Sequence, residues 1–395
     1  MNTLTKNNRW ASVSLIAAIL LVAMNLRVPF TGVAPVLPWI QHDFGLNTTA
    51  VGLLTSLPLF AFAAFSPFGA SIAVRFGLER TVFGALALIA AGVLIRSGGN
   101  TLLLYGGTVL IGAGIALGNV LLPSLIKRDF SANVVSMTGA YSITMGAAGA
   151  IGSAAVIPMT QAWGWRVALA MFIIVPLVAL LAWLPQWKKH GKAGSSIRHQ
   201  GAGVAVWRSP LAWQVTLFMG LNAMPFYIAV SWLPTILMEH GTSAAAAGSL
   251  HGTLQLATAV PGLLMAAVLR RMKDQRAAAV IASLMSAVSM LGLMLAPSLA
   301  LLWSVVLGFG CGASMILGLT FIGLRTSNAK DAAALSGMSQ CVGYLMAAAG
   351  PMLLGAVHDV TKGWSMPLLL AAIIGVLGAW SGLLAGRNRH LESEA

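Results

Sequence analysis

The sequence predicts an all-helical (all-α) integral membrane protein in which twelve transmembrane helices form two similar six-helix halves. Three observations predict it: the composition, the number of long apolar segments and an internal repeat. Of the 395 residues, 58% are hydrophobic and only 8% are charged, and the mean hydropathy is +0.86. A soluble domain carries about 25% charged residues because its surface meets water. Most of the surface of this chain is therefore expected to face lipid.

Charged residues, prolines and glycines divide the chain into twelve apolar segments. Many of these segments are long enough to cross the bilayer core, which takes about 20 residues. They lack the period-two alternation of barrel strands, and helices are the other structures that satisfy the backbone in lipid. The predicted spans are 11–38, 50–74, 80–97, 101–126, 134–158, 165–185, 210–237, 243–269, 277–296, 299–324, 332–357 and 365–386.

Lysine and arginine residues are distributed unevenly between the two sides of these spans. With the N-terminus inside, the cytoplasmic segments hold 19 of the 23 Lys and Arg residues, and the outer segments hold Arg96, Arg166 and Lys362. The positive-inside rule therefore predicts that both termini lie on the cytoplasmic side. We expect the membrane to be a bacterial inner membrane. The first apolar stretch, Trp10 to about Ile40, is too long for a signal peptide and is expected to be retained.

The net charge of +14 does not indicate nucleic-acid binding. The basic residues lie in short clusters between apolar segments, whereas phosphate binding needs a continuous basic surface in water. The two cysteines, Cys311 and Cys341, lie inside apolar segments with no metal or disulfide spacing, so we expect them to be small core residues.

An internal repeat relates the two halves through a constant shift of 196 residues. Prolines, acids and arginines coincide under this shift, which chance matching of apolar residues would rarely produce. Six spans per half give a parallel repeat, and we expect an N-terminal six-helix bundle (1–185), a cytoplasmic linker (186–209) and a C-terminal six-helix bundle (210–395). The prolines are expected to bend the first helix of each half, either as ordinary kinks or for gating. The coinciding residues are Pro29 with Pro225, Pro38 with Pro234, Asp43 with Glu239, Arg75 with Arg271 and Arg80 with Arg276.

Four stretches of the chain resemble a known family. They are MNLRVPFTGVAPVLP (24–38), GIALGNVLLPSLIKRDF (114–130), FYIAVSWLPTIL (226–237) and SGMSQCVGYLMAAAGP (336–351), and they are similar to the cyanate permease and 2-nitroimidazole transporter branch of the major facilitator superfamily. The resemblance implies the major facilitator fold, with two bundles related by pseudo-twofold symmetry, and secondary transport. The general superfamily signature is degraded, because Val74 stands where an acid is expected.

Arg27 is the sharpest candidate for a site residue. It lies about sixteen residues into the first span, which at a rise of about 1.5 Å per residue is near the membrane midplane. A charge there is costly, so it should face a cavity or a partner. It either binds helix carbonyls structurally or anchors an anionic or strongly polar solute, because a guanidinium can hold a planar oxyanion through two parallel hydrogen bonds.

Other polar and aromatic residues inside the spans are candidates for lining the cavity. The resemblance implies that spans one, four, seven and ten surround the path and that two, five, eight and eleven flank it. Each residue alone could equally serve helix packing, while tyrosine and tryptophan could stack on a planar ligand. The candidate substrate-binding residues, besides Arg27, are Asn119, Tyr141, Asn222, Tyr227, Trp232, Gln255, Gln340 and Tyr344.

Proton coupling in membrane transporters usually depends on Asp, Glu or His inside the membrane. His251, in span eight, is the best internal candidate because an unperturbed imidazole titrates near neutral pH. His42 and Asp43, at the outer end of span one, are a second candidate. The repeat partner of Asp43 is Glu239, which equally indicates a structural role at the helix ends. Uniport or facilitated exchange therefore stays open.

These features predict a secondary active transporter that moves a small anionic or polar planar solute, such as a cyanate-like anion or a nitroimidazole-like compound, by alternating access. The alternative is a proton-coupled antiporter that exports drugs or metabolites, although no carboxylate accompanies Arg27 inside the spans. An enzyme is not expected, because paired carboxylates, a nucleophile–base pair and a metal cluster are all missing. We expect no cofactor, no nucleic-acid partner and a monomer in the lipid bilayer that binds a small-molecule substrate and possibly a co-transported proton.

Overall fold

The computed structural model describes residues 2–130, 133–187, 204–269, 271–327 and 329–391. Within these residues the protein is helical and has no strand. Short 3-10 turns occur at Ala34–Val36 and Pro297–Leu299. The helices are α1 (Asn2–Asn25), α2 (Val28–Thr31), α3 (Leu37–Phe44), α4 (Thr48–Phe76), α5 (Leu78–Arg96), α6 (Thr101–Asp129), α7 (Val134–Met171), α8 (Ile174–Trp187), α9 (Val204–Arg208), α10 (Pro210–Glu239), α11 (Ala244–Ala257), α12 (Pro261–Leu269), α13 (Arg276–Leu295), α14 (Ala300–Leu324), α15 (Ala329–Thr361) and α16 (Ser365–Ala385).

Ten helical stretches in the described residues are long and apolar enough to cross a membrane. One of them, Ser136–Trp187, is 52 residues long and bends at Gly164, whose φ of 79° and ψ of 156° suit glycine alone. The predicted spans 134–158 and 165–185 lie on either side of this bend. A turn at 258–260 separates α11 from α12 within the predicted span 243–269. Most of the predicted linker, residues 188–203, lies outside the described residues.

The first predicted span is broken, whereas its repeat partner is a continuous helix. Pro29, Pro35 and Pro38 each lie in the first turn of a new helical piece, a position where proline costs no hydrogen bond. In α10, Pro225 and Pro234 lie inside one uninterrupted helix. The third proline distinguishes the two copies, because the repeat register of Pro35 holds a serine in α10. The prolines therefore break the first span but not the seventh.

Helix contacts fall mainly within two groups, the first group α1–α8 and the second group α10–α16. The main helix pairs that join the groups are α4 with α15 and α7 with α11. We call the end of the molecule that carries the turns 45–47, 97–100, 240–243 and 362–364 the distal end. The opposite end, where α4, α6, α14 and α16 finish, is the terminal end.

The two groups touch through close backbone contacts in their distal halves. A methyl group added to Gly52 of α4 would lie 2.6 Å from the Pro351 carbonyl oxygen of α15, and one added to Gly248 of α11 would lie 2.8 Å from the Ser153 carbonyl oxygen of α7. By contrast, a methyl group added to Gly139, in the terminal half of α7, would meet no atom within 4 Å. Glycine therefore permits a tight closure at the distal half.

A carboxylate clasp reinforces this distal closure. Asp359, in the last turn of α15, accepts hydrogen bonds from the backbone N–H groups of Thr48 (3.0 Å) and Thr49 (2.7 Å) at the start of α4. The Thr49 hydroxyl donates a third bond, 2.5 Å long, to the same carboxylate. A carboxylate at a helix N-terminus also interacts favourably with the helix dipole. The clasp thus ties the second group to the first.

The terminal end of each group is tied by an arginine at the end of a helix. Arg128, at the end of α6, forms an ion pair of 2.7 Å with Glu79 of α5, whose side chain is 3% exposed. Arg325, after α14, donates a hydrogen bond of 2.7 Å to Gln275, before α13. Glu79 and Gln275 occupy the same position of the 196-residue repeat. The two groups therefore share one helix-end contact, with an acid in the first and an amide in the second.

We expect Glu79→Gln to lower the stability of the protein without unfolding it. The exchange removes the charge from a buried partner of Arg128, which is itself 30% exposed and keeps Asp129 as a second partner at 2.8 Å. The expected loss is about 1–2 kcal/mol, below the ~3–5 kcal/mol of a fully buried pair. The apparent Tm of the purified protein measures this loss of stability. Asp274→Asn, which alters the exposed ion pair between Asp274 and Arg276, is the control. Equal Tm values for both variants would contradict the account.

Candidate solute-binding site

Arg27 lies at the break between α1 and α2, where its backbone (φ −126°, ψ −51°) is not helical. Its carbonyl oxygen accepts hydrogen bonds from the backbone N–H and the hydroxyl of Thr31, the last residue of α2. The side chain is half-buried, and its Nε is buried without a hydrogen-bond partner. None of the ion pairs among the described residues includes Arg27. The guanidinium therefore keeps donors free for another molecule.

Aromatic side chains of the second group lie near this guanidinium. The Arg27 Cζ lies 5.2 Å from the centroid of the Phe226 ring, a distance that allows a cation–π interaction. Tyr227 of α10 and Tyr344 of α15 also lie close enough to interact electrostatically with the Arg27 charge. Edge-on contacts with Phe30 and Phe62 of the first group hold these two tyrosines, at centroid distances of 6.0 Å and 5.5 Å.

Gln255 of α11 completes the cluster beside Gly149 of α7. A methyl group on Gly149 would lie 2.9 Å from Cγ of Arg27 and 3.7 Å from Cγ of Gln255, so the glycine makes room for both side chains. The Oε1 of Gln255 is buried without a hydrogen-bond partner. A buried acceptor without a partner costs free energy, which a bound solute or water would recover. We call Arg27, Phe226, Tyr227, Gln255 and Tyr344 the Arg27 cluster.

His251 lies one turn from Gln255 and bridges the two groups. Its Nδ1 is 3.0 Å from Oγ of Ser153 in α7, and its Nε2 is 3.4 Å from Nε2 of Gln255. The hydroxyl of Ser153 also contacts the carbonyl oxygen of Thr31 at 3.4 Å. His251 is fully buried in this conformation. Separation of α7 from α11 would break the His251–Ser153 contact and expose the imidazole.

Three further candidate residues make no hydrogen bond or ring contact with Arg27 in the described residues. Tyr141 of α7 interacts electrostatically with Tyr344 and is half-buried. Gln340, one turn from Tyr344, donates a hydrogen bond of 2.9 Å to Oγ of Ser336. Asn119 is half-buried in α6. All three side chains are partly exposed.

Asn222 and Trp232 lie elsewhere, inside the second group. The Asn222 amide donates to the Phe218 carbonyl oxygen at 2.9 Å, and Gly378 of α16 packs against it. The Trp232 indole is fully buried and donates to the Pro351 carbonyl oxygen at 2.9 Å. These contacts of both side chains lie within the second group, and the Oδ1 of Asn222 is buried without a hydrogen-bond partner. Their predicted role in solute binding stays a prediction.

His42 and Asp43 lie at the distal end, remote from the Arg27 cluster. The His42 side chain is 93% exposed, and its Nδ1 is 3.9 Å from the Asp43 carboxylate. That carboxylate accepts a hydrogen bond of 2.7 Å from the indole of Trp165, just after the Gly164 bend. Glu239, the repeat partner of Asp43, similarly lies 3.7 Å from His358. Both acids tie helix ends together.

A match to a family profile identifies the protein family of this chain. The profile described as Major Facilitator Superfamily matches residues 15–351. The chain belongs to the major facilitator superfamily. Proteins of this superfamily are carriers, and this one is a membrane-spanning secondary transporter of a small solute rather than an enzyme.

Named relatives of this major facilitator protein are transporters. It is 55% identical to the 2-nitroimidazole transporter of Escherichia coli (strain K12) over 378 residues, 95% of this chain and 96% of the relative. It is 28% identical to the cyanate transport protein CynX of the same organism over 355 residues, 89% of this chain and 92% of the relative. The predicted resemblance to this branch of the superfamily is confirmed.

Solved structures of low identity share the fold of this major facilitator protein. A bacterial homologue of the human lysosomal transporter Spinster, in an inward-facing and occupied conformation, superimposes with a TM-score of 0.78. The identity is 17%, and the match covers 96% of this chain and 98% of the other. The chain therefore shares the fold of this solved structure over nearly its whole length.

Arg96 is a second buried cation of this major facilitator protein that the sequence interpretation missed. The positive-inside count assigned it to an outer loop, but it ends α5 with 1% of its surface exposed. Its Nη1 donates a hydrogen bond of 2.7 Å to the Pro29 carbonyl oxygen, next to the break that carries Arg27. A long side chain can turn inward from a helix end, and residue spacing does not reveal that direction.

Proposed function

We propose that this transporter carries a small planar solute whose oxygen atoms bind the Arg27 guanidinium and whose flat face packs against the surrounding aromatic rings. The observation that carries the proposal is the guanidinium, which has no ion-pair partner among the described residues and lies 5.2 Å from the Phe226 ring, with Tyr227 and Tyr344 near enough to interact with its charge. A carboxylate and a nitro group each present two coplanar oxygens, which match the parallel N–H groups of arginine. The name of one relative, the 2-nitroimidazole transporter, supports a planar solute with two coplanar oxygens, and the name of the cyanate transport protein supports a small solute.

The proposed architecture has twelve spans in two pseudo-symmetric bundles. The ten apolar stretches, the bend at Gly164 and the turn between α11 and α12 support this number. The first bundle comprises residues 1–185 and the second 210–395, joined by a cytoplasmic linker, 186–209. The concentration of Lys and Arg at the terminal end supports cytoplasmic termini in a bacterial inner membrane. The chain acts as a monomer.

The proposed transport cycle exposes the Arg27 cluster to the two sides of the membrane in turn. Closure at the Asp359 clasp and at the His251–Ser153 contact supports a conformation sealed at the distal, periplasmic end. Rocking of the bundles breaks these contacts and forms others at the terminal end. A bound solute contacts both bundles at once, because the Arg27 cluster includes residues of each bundle. Its binding therefore favours the movement of the bundles towards each other.

Ligand binding by purified protein tests the solute class. A ligand that binds only the folded protein raises its apparent Tm by mass action. We expect 2-nitroimidazole to raise the Tm and imidazole, which lacks the nitro oxygens, to raise it much less. Cyanate and benzoate test linear and planar anions in the same assay. Equal shifts with 2-nitroimidazole and imidazole would contradict recognition through the oxygens.

His251 is the proposed proton-linked residue. It contacts both bundles through Ser153 and Gln255, and it becomes accessible only when they separate. An imidazole titrates near pH 6.5 when unperturbed, so a proton taken up in the open conformation would favour that conformation. Proton linkage of this kind is the feature that favours the second candidate function, a proton-coupled antiporter for drug or metabolite efflux.

We expect His251→Asn to flatten the pH dependence of transport between about pH 5.5 and 7.5, because an amide does not titrate in the range of an imidazole. Asparagine can still bond to Ser153, so folding is retained. Initial uptake rates across this pH range in proteoliposomes measure the effect. His240→Asn, a change at the exposed end of α10, is the control. A profile like that of the wild type would remove His251 from the proton path.

A further inference from the structure

A basic cavity lies at the terminal end of the second group, away from the Arg27 cluster. It measures about 400 Å³ and lies between the turn before α13 and the segment that follows α16. Its lining residues are Lys273, Asp274, Arg276, Arg387, Asn388 and Arg389. Four cations and one carboxylate give the lining a net charge of +3.

Most of this positive charge has no ion-pair partner among the described residues. Asp274 forms an ion pair of 3.3 Å with Arg276. Among the described residues, no ion pair involves Lys273, Arg387 or Arg389. Three cations that converge on one cavity repel each other, so an anion placed between them would be strongly favoured.

The walls of the cavity are fixed by a buried arginine behind them. Arg325 is 1% exposed, and its Nε donates to the Ala385 carbonyl oxygen at 2.9 Å. Its Nη2 donates to Oε1 of Gln275 at 2.7 Å, and its carbonyl oxygen accepts from the backbone N–H of Leu391 at 2.7 Å. The Gln275 backbone N–H donates to the Gly386 carbonyl oxygen. The chain on both sides of the cavity is therefore held in register before any ligand binds.

The two helices that carry the cavity expose large apolar side chains just below it. Trp380 and Leu383 of α16 are 59% and 44% exposed, and Ile281 and Leu284 of α13 are 60% and 38% exposed. At about 1.5 Å per residue, Leu383 and Trp380 lie roughly 6 Å and 10 Å along the helix from Arg387. Aromatic residues at this depth are typical of the membrane interface. A soluble phosphate would not use this apolar surface, whereas lipid chains would.

We propose that this cavity binds the phosphodiester headgroup of an anionic phospholipid, whose acyl chains lie along α13 and α16. Lys273, Arg387 and Arg389 supply the charge and the N–H donors, and the exposed apolar side chains supply the chain-binding surface. Basic pockets between membrane helices are suited to such headgroups. A lipid bound here bridges the start of α13 and the end of α16, so it stabilises the second bundle.

The test compares lipids with the full-length purified protein in detergent. We expect phosphatidylglycerol to raise the apparent Tm by several degrees and phosphatidylcholine to raise it far less. The variant Lys273→Gln/Arg387→Gln/Arg389→Gln should lose most of the phosphatidylglycerol effect. The control Arg75→Gln/Lys127→Gln/Arg208→Gln changes the net charge equally, at exposed positions outside the cavity, and should keep it.

Three outcomes would overturn the lipid site. One is an equal loss of the effect in the control variant, which would make the binding non-specific. Another is a full shift with inorganic phosphate alone, which would make the ligand a soluble phosphate. The third is an equal shift with phosphatidylcholine. If the cavity variant has a low Tm without lipid, native mass spectrometry of the single variant Arg387→Gln measures bound phosphatidylglycerol, and unchanged occupancy would also contradict the proposal.

Discussion

Arg27→Ala is expected to abolish solute uptake while the protein stays folded in the membrane. The guanidinium has no ion-pair partner among the described residues, so its removal leaves no opposite charge unpaired. Hydrogen bonds to a charged group contribute about 1.5–3 kcal/mol each. Loss of one or two such bonds weakens solute binding by roughly 10- to 20,000-fold. Uptake by proteoliposomes, with the amount of folded protein measured by size-exclusion chromatography, tests this result.

Arg27→Lys is the matched control. Lysine retains the positive charge but not the two parallel N–H groups, so we expect weak uptake with a raised apparent KM. A variant that acted only by disturbing the break between α1 and α2 would lower the Tm, whereas loss of a ligand contact would not. Full transport by well-expressed Arg27→Ala, with unchanged apparent affinity, would contradict the anchoring role.

Asp359→Ala is expected to shift the protein towards a conformation open at the distal end. The change removes three hydrogen bonds that join α15 to the start of α4. Because the carboxylate is half-buried at the surface, we expect a cost of about 1.4–3 kcal/mol to the closed conformation. The ratio of closed to open molecules then falls by about ten- to a hundred-fold.

Distances between spin labels on the two groups measure this shift. Cysteines placed at the exposed positions Thr101 and Ala245, with Cys311 and Cys341 replaced by serine, report the distal separation. We expect longer distances in Asp359→Ala and intermediate ones in Asp359→Asn, which keeps one acceptor oxygen. Asp43→Ala breaks a contact inside the first group only and should change nothing. Identical distance distributions for wild type and Asp359→Ala would show that the clasp does not control closure.

The sequence predicted those features that depend on composition and helix length. The helical membrane fold follows from apolar segments long enough for a bilayer, and Arg27 stood out because a single charge near the centre of a span is costly. The sequence did not predict features that depend on the direction of a side chain. Arg96 turns inward from the end of α5, and the indole of Trp232 bonds to Pro351. Phe226, whose ring lies beside the guanidinium, appeared only as the first residue of the stretch FYIAVSWLPTIL.

The break at Arg27 was predictable only in part. The repeat drew attention to Pro29 and Pro38, and these prolines do begin new helical pieces. The same prolines in the second copy leave α10 continuous, so proline alone does not break the helix. The difference lies in Pro35, which has no counterpart, and in the tertiary contact of Arg96 with the Pro29 carbonyl oxygen. Pro35 can be read from the sequence, whereas the contact of Arg96 is visible only in the folded structure.

The proposed function depends on binding of the solute at the Arg27 cluster. An experimental structure of the protein with 2-nitroimidazole tests this directly. We expect both nitro oxygens to lie about 2.7–3.2 Å from nitrogen atoms of the Arg27 guanidinium, with the ring between Phe226, Tyr227 and Tyr344. A solute bound elsewhere, with Arg27 bonded instead to a protein carbonyl or carboxylate, would contradict the account.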